Sequence, residues 1–242
     1  MNMQLAGGAD EQAISIIIPT FNEQKHIGDL VRAIRQRESG EGYIKQIIVA
    51  DGGSQDDTIR VAEQAGATAL KCGKKGRASQ MNEGANHATG DILYFLHADT
   101  FPPQEFARDI VRAITRGAGA GCFRLAFDDD HPLLQFYGWC TRFKSTLVRF
   151  GDQSLFVKAD VFRKIGGFDD SLVVMEDQKI VSDLKEVVPF ALLERAVETS
   201  ARTYKKNGVV RLQFIFFMIV ILYYGGAKQD TLVHLYNSLI EL

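Results

Sequence analysis

The sequence predicts an α/β fold: a mainly parallel sheet flanked by helices, with a helical extension at the C-terminal end. Three observations predict it. Two β-branched runs, ISIII at 14–18 and IIVA at 47–50, are apolar on both faces, as central parallel strands are. Between them HIGDLVRAIRQ (26–36) places Ile27, Leu30, Val31 and Ile34 at helical spacing, which makes a strand–helix–strand unit. Strands and helices then alternate about every 25 to 30 residues as far as residue 100, the rhythm of a doubly wound sheet.

Each element follows in order. The first strand stops at Pro19 and the second at Asp51-Gly52-Gly53. Residues 54–65 read as a helix with Ser54 as its N-cap and Asp56 and Asp57 in the first turn, where the helix dipole favours acids. ATALKC (67–72) is a short strand, GKKGR (73–77) a loop, ASQMNEGANHA (78–88) a helix, and ILYFLHAD (92–99) the next strand. Residues 103–116 form an amphipathic helix and 119–127 a strand. An aromatic-rich helical stretch follows at 131–150, then a strand, a short helix and a double glycine within 151–168, and a helix at 175–187 that begins with acids. Residues 1–13 read as a flexible tail, 14–200 as one domain and 201–242 as its helical extension.

Composition narrows the classes. With 46% hydrophobic residues the 242-residue chain can bury a substantial core, and 28 basic against 30 acidic residues give a net charge of -2, which argues against nucleic acid as a partner. Cys72, Cys122 and Cys140 lie far apart, with no CxxC pair, so neither a disulfide framework nor a thiolate metal site is expected and a reducing cytoplasm fits. The apolar run at 214–224 rises only about 16 Å as a helix, roughly half a hydrocarbon core. It is expected either to be buried or to lie at an interface, against the inner face of a membrane or a second copy of the chain.

Open α/β sheets bind ligands beyond the carboxyl ends of their strands. Polar clusters fall at four such ends: Thr20 to Glu23, Asp51 to Ser54, Lys74 to Arg77, and His97 to Thr100. Taken singly, Asp51-Gly-Gly-Ser reads equally as a capped turn, the lysines as a solvated loop and His97 as a packed histidine. Together they suit a nucleoside diphosphate, held by cationic side chains and by a hard divalent ion on Asp99. No GxxxxGK[ST] or GxGxxG follows the first strand, so kinase-like and dinucleotide readings lose their main support.

In PTFNE (19–23), VADGGSQDDT (49–58), GRASQMNEGANHATGD (76–91), LHADT (96–100), and GGFDDSL with MEDQKI (166–172 and 175–180), the chain resembles the family 2 glycosyltransferases of the GT-A fold. The resemblance spans about residues 14–185, closest to a small bacterial subgroup, the radical-SAM/selenodomain-associated transferases. It implies an inverting transferase that moves a sugar from a nucleotide donor, a UDP-sugar by preference, to an unidentified hydroxyl with the help of Mg²⁺ or Mn²⁺. It assigns Thr20, Asn22, Glu23, Asp51, Arg77 and His97 to the nucleotide, and Asp99 to the metal. His97 stands where the family carries an acid. Asp177, with Glu176 as the alternative, becomes the general base, and Asp152, Gln153 and Gly167 border donor or acceptor sugar. The rivals are a nucleotide-sugar-binding protein with decayed catalysis and a nucleotidyltransferase, which would carry a glycine-rich basic loop where this chain has TFNEQKH.

Overall fold

The computed structural model describes residues 12–38, 40–145, 148–149 and 151–241, so almost all of the expected N-terminal tail lies outside the described residues. β1 (Ile14–Thr20), α1 (Ile27–Arg37), β2 (Ile44–Asp51), α2 (Thr58–Gln64), β3 (Thr68–Lys71), α3 (Arg77–Asn86) and β4 (Ile92–Phe95) form the alternating half. Then come β5 (Thr100–Phe101), α4 (Phe106–Thr115), β6 (Ala120–Phe127), α5 (Pro132–Cys140), a 3-10 turn (Gly151–Gln153), β7 (Leu155–Lys158), α6 (Ala159–Ile165) and α7 (Glu176–Val187). β8 (Phe190–Thr199), α8 (Arg202–Asn207), α9 (Val209–Tyr224) and α10 (Gln229–Leu239) complete the chain.

The sheet order is β3-β2-β1-β4-β7-β6-β8-β5. β1 pairs in parallel with both β2 and β4, β2 with β3, and β6 with β8, while β7 runs antiparallel to β4 and β6, and β5 to β8. β1 shows why its run is apolar throughout. Ile14, Ile16 and Ile18 face the cluster built from α1 and α4, and Ile17 faces the cluster of α3, α6 and α7, because alternate residues of a strand point to opposite sides.

Several sequence expectations change, among them the helix expected over 131–150, which ends at Cys140. The helix after β2 starts at Thr58 and not at Ser54, because the Ser54 amide and hydroxyl both turn back onto Asp51 while Asp56 Oδ1 accepts the Thr58 amide at 3.0 Å. The strand expected through Asp99 ends at Phe95, and the chain turns before β5. β8 was not anticipated: FALLERAVET lacks clean alternation because its charged stretch faces α4, where Arg195 pairs with Glu105 and Asp109 at 2.9 and 3.2 Å.

The C-terminal helices pack through Leu212, Ile215, Ile219 and Leu232 against Val174, just ahead of α7. The long apolar run is therefore half-buried: Phe214, Phe217, Ile221 and Tyr224 remain exposed on the outer side of α9. Among the described residues no helix is long and apolar enough to cross a membrane.

Candidate functional site

The ends of β1 and β2 are sealed by a knot of hydrogen bonds. Asp51 is fully buried; its Oδ2 accepts the Gly53 and Ser54 amides at 2.9 Å each, and its Oδ1 accepts from the hydroxyls of Ser54 and, at 3.5 Å, Thr20. Those four donors match the lone-pair capacity of a carboxylate. Asn22, at φ 57°, accepts the Gln55 amide and donates its own amide to the Ser54 hydroxyl, both at 2.8 Å, so the loops after β1 and β2 are zipped together. From α3, Gln80 Nε2 reaches the carbonyls of Thr20 and Ala50, both at 2.8 Å, and clamps the same two strand ends from below.

Next to this knot runs a chain of alternating charges. Arg202, at the start of α8, holds Glu23 with both guanidinium nitrogens and lies 3.4 Å from Asp99. His97 Nδ1 meets Asp152 Oδ1 at 3.1 Å, and Arg77 Nε meets Glu176 Oε1 at 2.8 Å. The backbone of Gly151 packs beside both Asp177 and His97. A methyl group there would run into Asp177 Oδ2 and sit 2.8 Å from His97 Cε1, so glycine is what lets Asp177 and His97 face each other this closely.

The same neighbours set the protonation states. Burial favours neutral His97, but the hydrogen bond and charge of Asp152, with Asp177 beyond, outweigh it and hold the imidazole above its ordinary value. Asp152 is opposed by burial too, yet its bond to His97 keeps it below the usual carboxylate range. Asp99 moves up, first through burial and then through the negative charge of Asp152, more than Arg202 and His97 offset. Burial pushes Glu176 up to about 7 in spite of Arg77, and neither of its oxygens has a well-formed hydrogen bond among the described residues.

Those shifts bear on the expected metal. Among the described residues no three His, Cys, Asp or Glu side chains gather as a metal cage. A cage is not required, because Mg²⁺ and Mn²⁺ bound with nucleotides use one or two protein carboxylates and phosphate oxygens for the rest. Asp99, partly open and burdened by a second negative charge nearby, fits a divalent cation arriving with its phosphates.

Beside the charges lies a cavity of about 160 Å³. Arg77, Asp152 and Asp177 stand at one end, and the wall beneath α9 mixes Phe127, Val174, Phe216 and Val220 with polar-tipped side chains, Thr141, Gln178, Gln213, Tyr137, Tyr204 and Tyr236.

The structure thus gathers Glu23, Arg77, His97, Asp99, Asp152, Glu176 and Asp177, and places Thr20, Asn22 and Asp51 in the adjoining knot. Gln153 and Gly167 stand apart. Gln153 is buried against Arg149, whose Nη1 donates to Gln153 Oε1 at 2.9 Å, and Gly167 lies against Asn82, which pins the Phe168 backbone at both its amide and its carbonyl. Arg202 and Gln80 received no site role from the sequence. Gln80 falls inside the GRASQMN motif, which was the available signal; Arg202 lies more than 100 residues beyond the strand tip it meets, and its only signal was the Ala201-Arg202-Thr203 segment ahead of the apolar helix, which the resemblance matches without giving it a role.

Several known proteins are similar to this chain. An uncharacterised glycosyltransferase of Mycobacterium tuberculosis is 29% identical over 179 residues, which cover 69% of this chain and 67% of that protein. A mannosyltransferase from Pyrobaculum calidifontis, solved in complex with GDP-Man and Mn²⁺, shares the fold at a TM-score of 0.68 and 16% identity, over 92% of this chain and 69% of the other. TarS 1-349 of S. aureus in complex with UDP gives 0.64 and 16%, over 78% of this chain and only 60% of its own length. The sequence model of glycosyl transferase family 2 matches residues 15–163, well over half of the 242, and the chain belongs to that family.

Proposed function

We propose that this chain is an inverting transferase that carries a sugar from a nucleoside diphosphate, with uridine the favoured base, to an acceptor hydroxyl. The observation that carries the reading is the gathering of charged groups by Gly151: Asp177 and His97 border the same space beside it, His97 holds Asp152, and Asp99 is held by Arg202. The nucleotide occupies the strand-tip crevice over Thr20, Asn22 and Asp51. A base contact to Asp51 requires the Ser54 or Thr20 hydroxyl to turn away from it, since its acceptor sites are taken.

Asp99 would hold the divalent ion, which supplies charge neutralisation on the diphosphate as it leaves. Arg202 and Arg77 add fixed positive charge to the same region. Asp177 takes the proton of the acceptor hydroxyl, whose oxygen attacks the anomeric carbon while the bond to the diphosphate oxygen breaks with its electron pair. A single displacement inverts that carbon. His97 keeps Asp152 ionised and oriented, and Gln153 serves Arg149, not the sugar. Three free cysteines suit a reducing cytoplasm as the working compartment.

Calorimetric titration of UDP with and without Mn²⁺ is the first test, and Mn²⁺ is expected to tighten binding. Asp177→Asn should keep that affinity and lower the transfer rate by about 10²- to 10⁴-fold, the range for a positioned general base. Binding that ignores Mn²⁺, or an Asp177→Asn enzyme at nearly full rate, would defeat the proposal.

A further inference from the structure

We infer that α9 and α5 form one docking face that lies on the surface of an anionic phospholipid bilayer, in the plane of the headgroups and without crossing it. α9 is apolar on nearly every side: Arg211 and Gln213 are the only residues of VVRLQFIFFMIVILYY outside the apolar and aromatic set. A helix of that kind needs cover all round. Its buried contacts lie on one side, through Leu212, Ile215 and Ile219. Val210, Phe214, Phe217, Ile221 and Tyr224 recur at alternating intervals of four and three, and all five are exposed.

α5 packs against α9 and carries the second part of the face. Leu133, Phe136 and Trp139 on it, and Phe143 just after it, are exposed as well, with Phe136 stacked on Trp139 and Trp139 edge-on to Phe143. These two segments hold nine of the twelve large exposed hydrophobic side chains among the described residues. Single exposed apolar residues are ordinary, but a concentration of this kind marks an interaction surface.

Charge decides what covers it. The whole chain carries a net charge of -2, yet residues 131–151 and 200–229 contain no Asp or Glu, so their surplus is all positive. Lys205 is balanced by Asp129 at 3.0 Å, whereas among the described residues no carboxylate pairs with Arg142, Lys144 or Arg211, all three exposed. Arg142 lies over the Trp139 ring, 5.0 Å from its centre, so a cation accompanies the aromatic cluster. A second copy of the same face would set these cations against one another; anionic headgroups complement them. No helix among the described residues is long and apolar enough to cross a membrane, so the face rests in the interface, rings towards the acyl boundary and cations among the phosphates.

Trp139 is the chain's single tryptophan and reports docking directly. With the full chain, vesicles of phosphatidylcholine and phosphatidylglycerol in equal parts should shift Trp139 emission to the blue and carry the protein in flotation, far more than vesicles of phosphatidylcholine alone, and added salt should weaken the binding. Phe214→Ser with Phe217→Ser, two exposed positions outside the cavity wall, should melt close to wild type and bind the mixed vesicles at least about tenfold more weakly. Arg142→Glu with Lys144→Glu leaves the α9 stripe intact and should abolish the preference for phosphatidylglycerol. Trp139 emission that the mixed vesicles do not move, equal vesicle binding in wild type and the Phe214/Phe217 variant, an unchanged preference after charge reversal, or a wild-type chain that sediments as a dimer through these residues and floats with neither vesicle overturns the inference.

Discussion

Glu176 and Asp177 are neighbours in sequence and opposites in environment. Glu176 is 1% exposed, with the Arg77 guanidinium 2.8 Å from its carboxylate, whereas Asp177 opens onto the cavity. The division of labour proposed here follows from that difference: Asp177 meets the acceptor, and Glu176 positions Arg77. Burial raises Glu176 to about 7 in the folded chain, against an ordinary 4.5. A carboxyl raised in this way adds stability at pH below 4.5 that is lost as pH climbs through 7, because the folded state holds the proton longer. The full effect is about 3 kcal/mol if the whole shift is counted. Glu176→Gln removes this dependence and keeps an acceptor for Arg77. Thermal melts should show the variant gaining on wild type between pH 5 and 8; parallel curves across that range would contradict the assignment. At this scale the motifs pointed to residues that the structure brings together, but not to their states. A 3.1 Å contact between His97 and Asp152, 55 positions apart, cannot be read from spacing.

At the scale of elements, α3 joins the two halves of the site. Arg77 opens it, Gln80 clamps the ends of β1 and β2, and Asn82 fastens the Gly167-Phe168 backbone, with donor–acceptor distances of 2.8 to 2.9 Å in the two clamps. The motif GRASQMN is thus a row of fasteners along one helix. Gln80→Leu would remove one donor each from the carbonyls of Thr20, which keeps the Gly52 amide, and Ala50, and should destabilise the fold by about 1 kcal/mol. Denaturant melts read that loss, and UDP affinity should fall with it as the loops loosen; an unchanged midpoint would show the clamp to be idle. The helices and inner strands were legible because each carries its own period. β8 was not, since its ten residues are stabilised by β6 and β5 on either side and by ion pairs to α4, none of which leaves a local pattern.

For the whole molecule, the C-terminal extension belongs to the site. Arg202 reaches from α8 to Glu23 and Asp99, and α9 roofs the cavity at whose mouth Asp177 stands. As a half-exposed ion pair, Arg202 should matter little to stability, about 1 kcal/mol or less. Its effect should appear in binding: Arg202→Gln should melt close to wild type but bind UDP with Mn²⁺ several-fold more weakly, and unaltered UDP affinity would remove Arg202 from the diphosphate site. The sequence by itself determined the α/β class, the central parallel strands and the clusters at their tips, because hydrophobic period and turn chemistry act over a few residues. Only the tertiary structure decided that Asp51 is saturated, that Arg202 reaches Glu23 and Asp99, that Asp177 and His97 meet beside a glycine, and that a cavity lies next to them. Each of those depends on contacts between segments tens of residues or more apart, where chain folding, and no local preference, sets the distance.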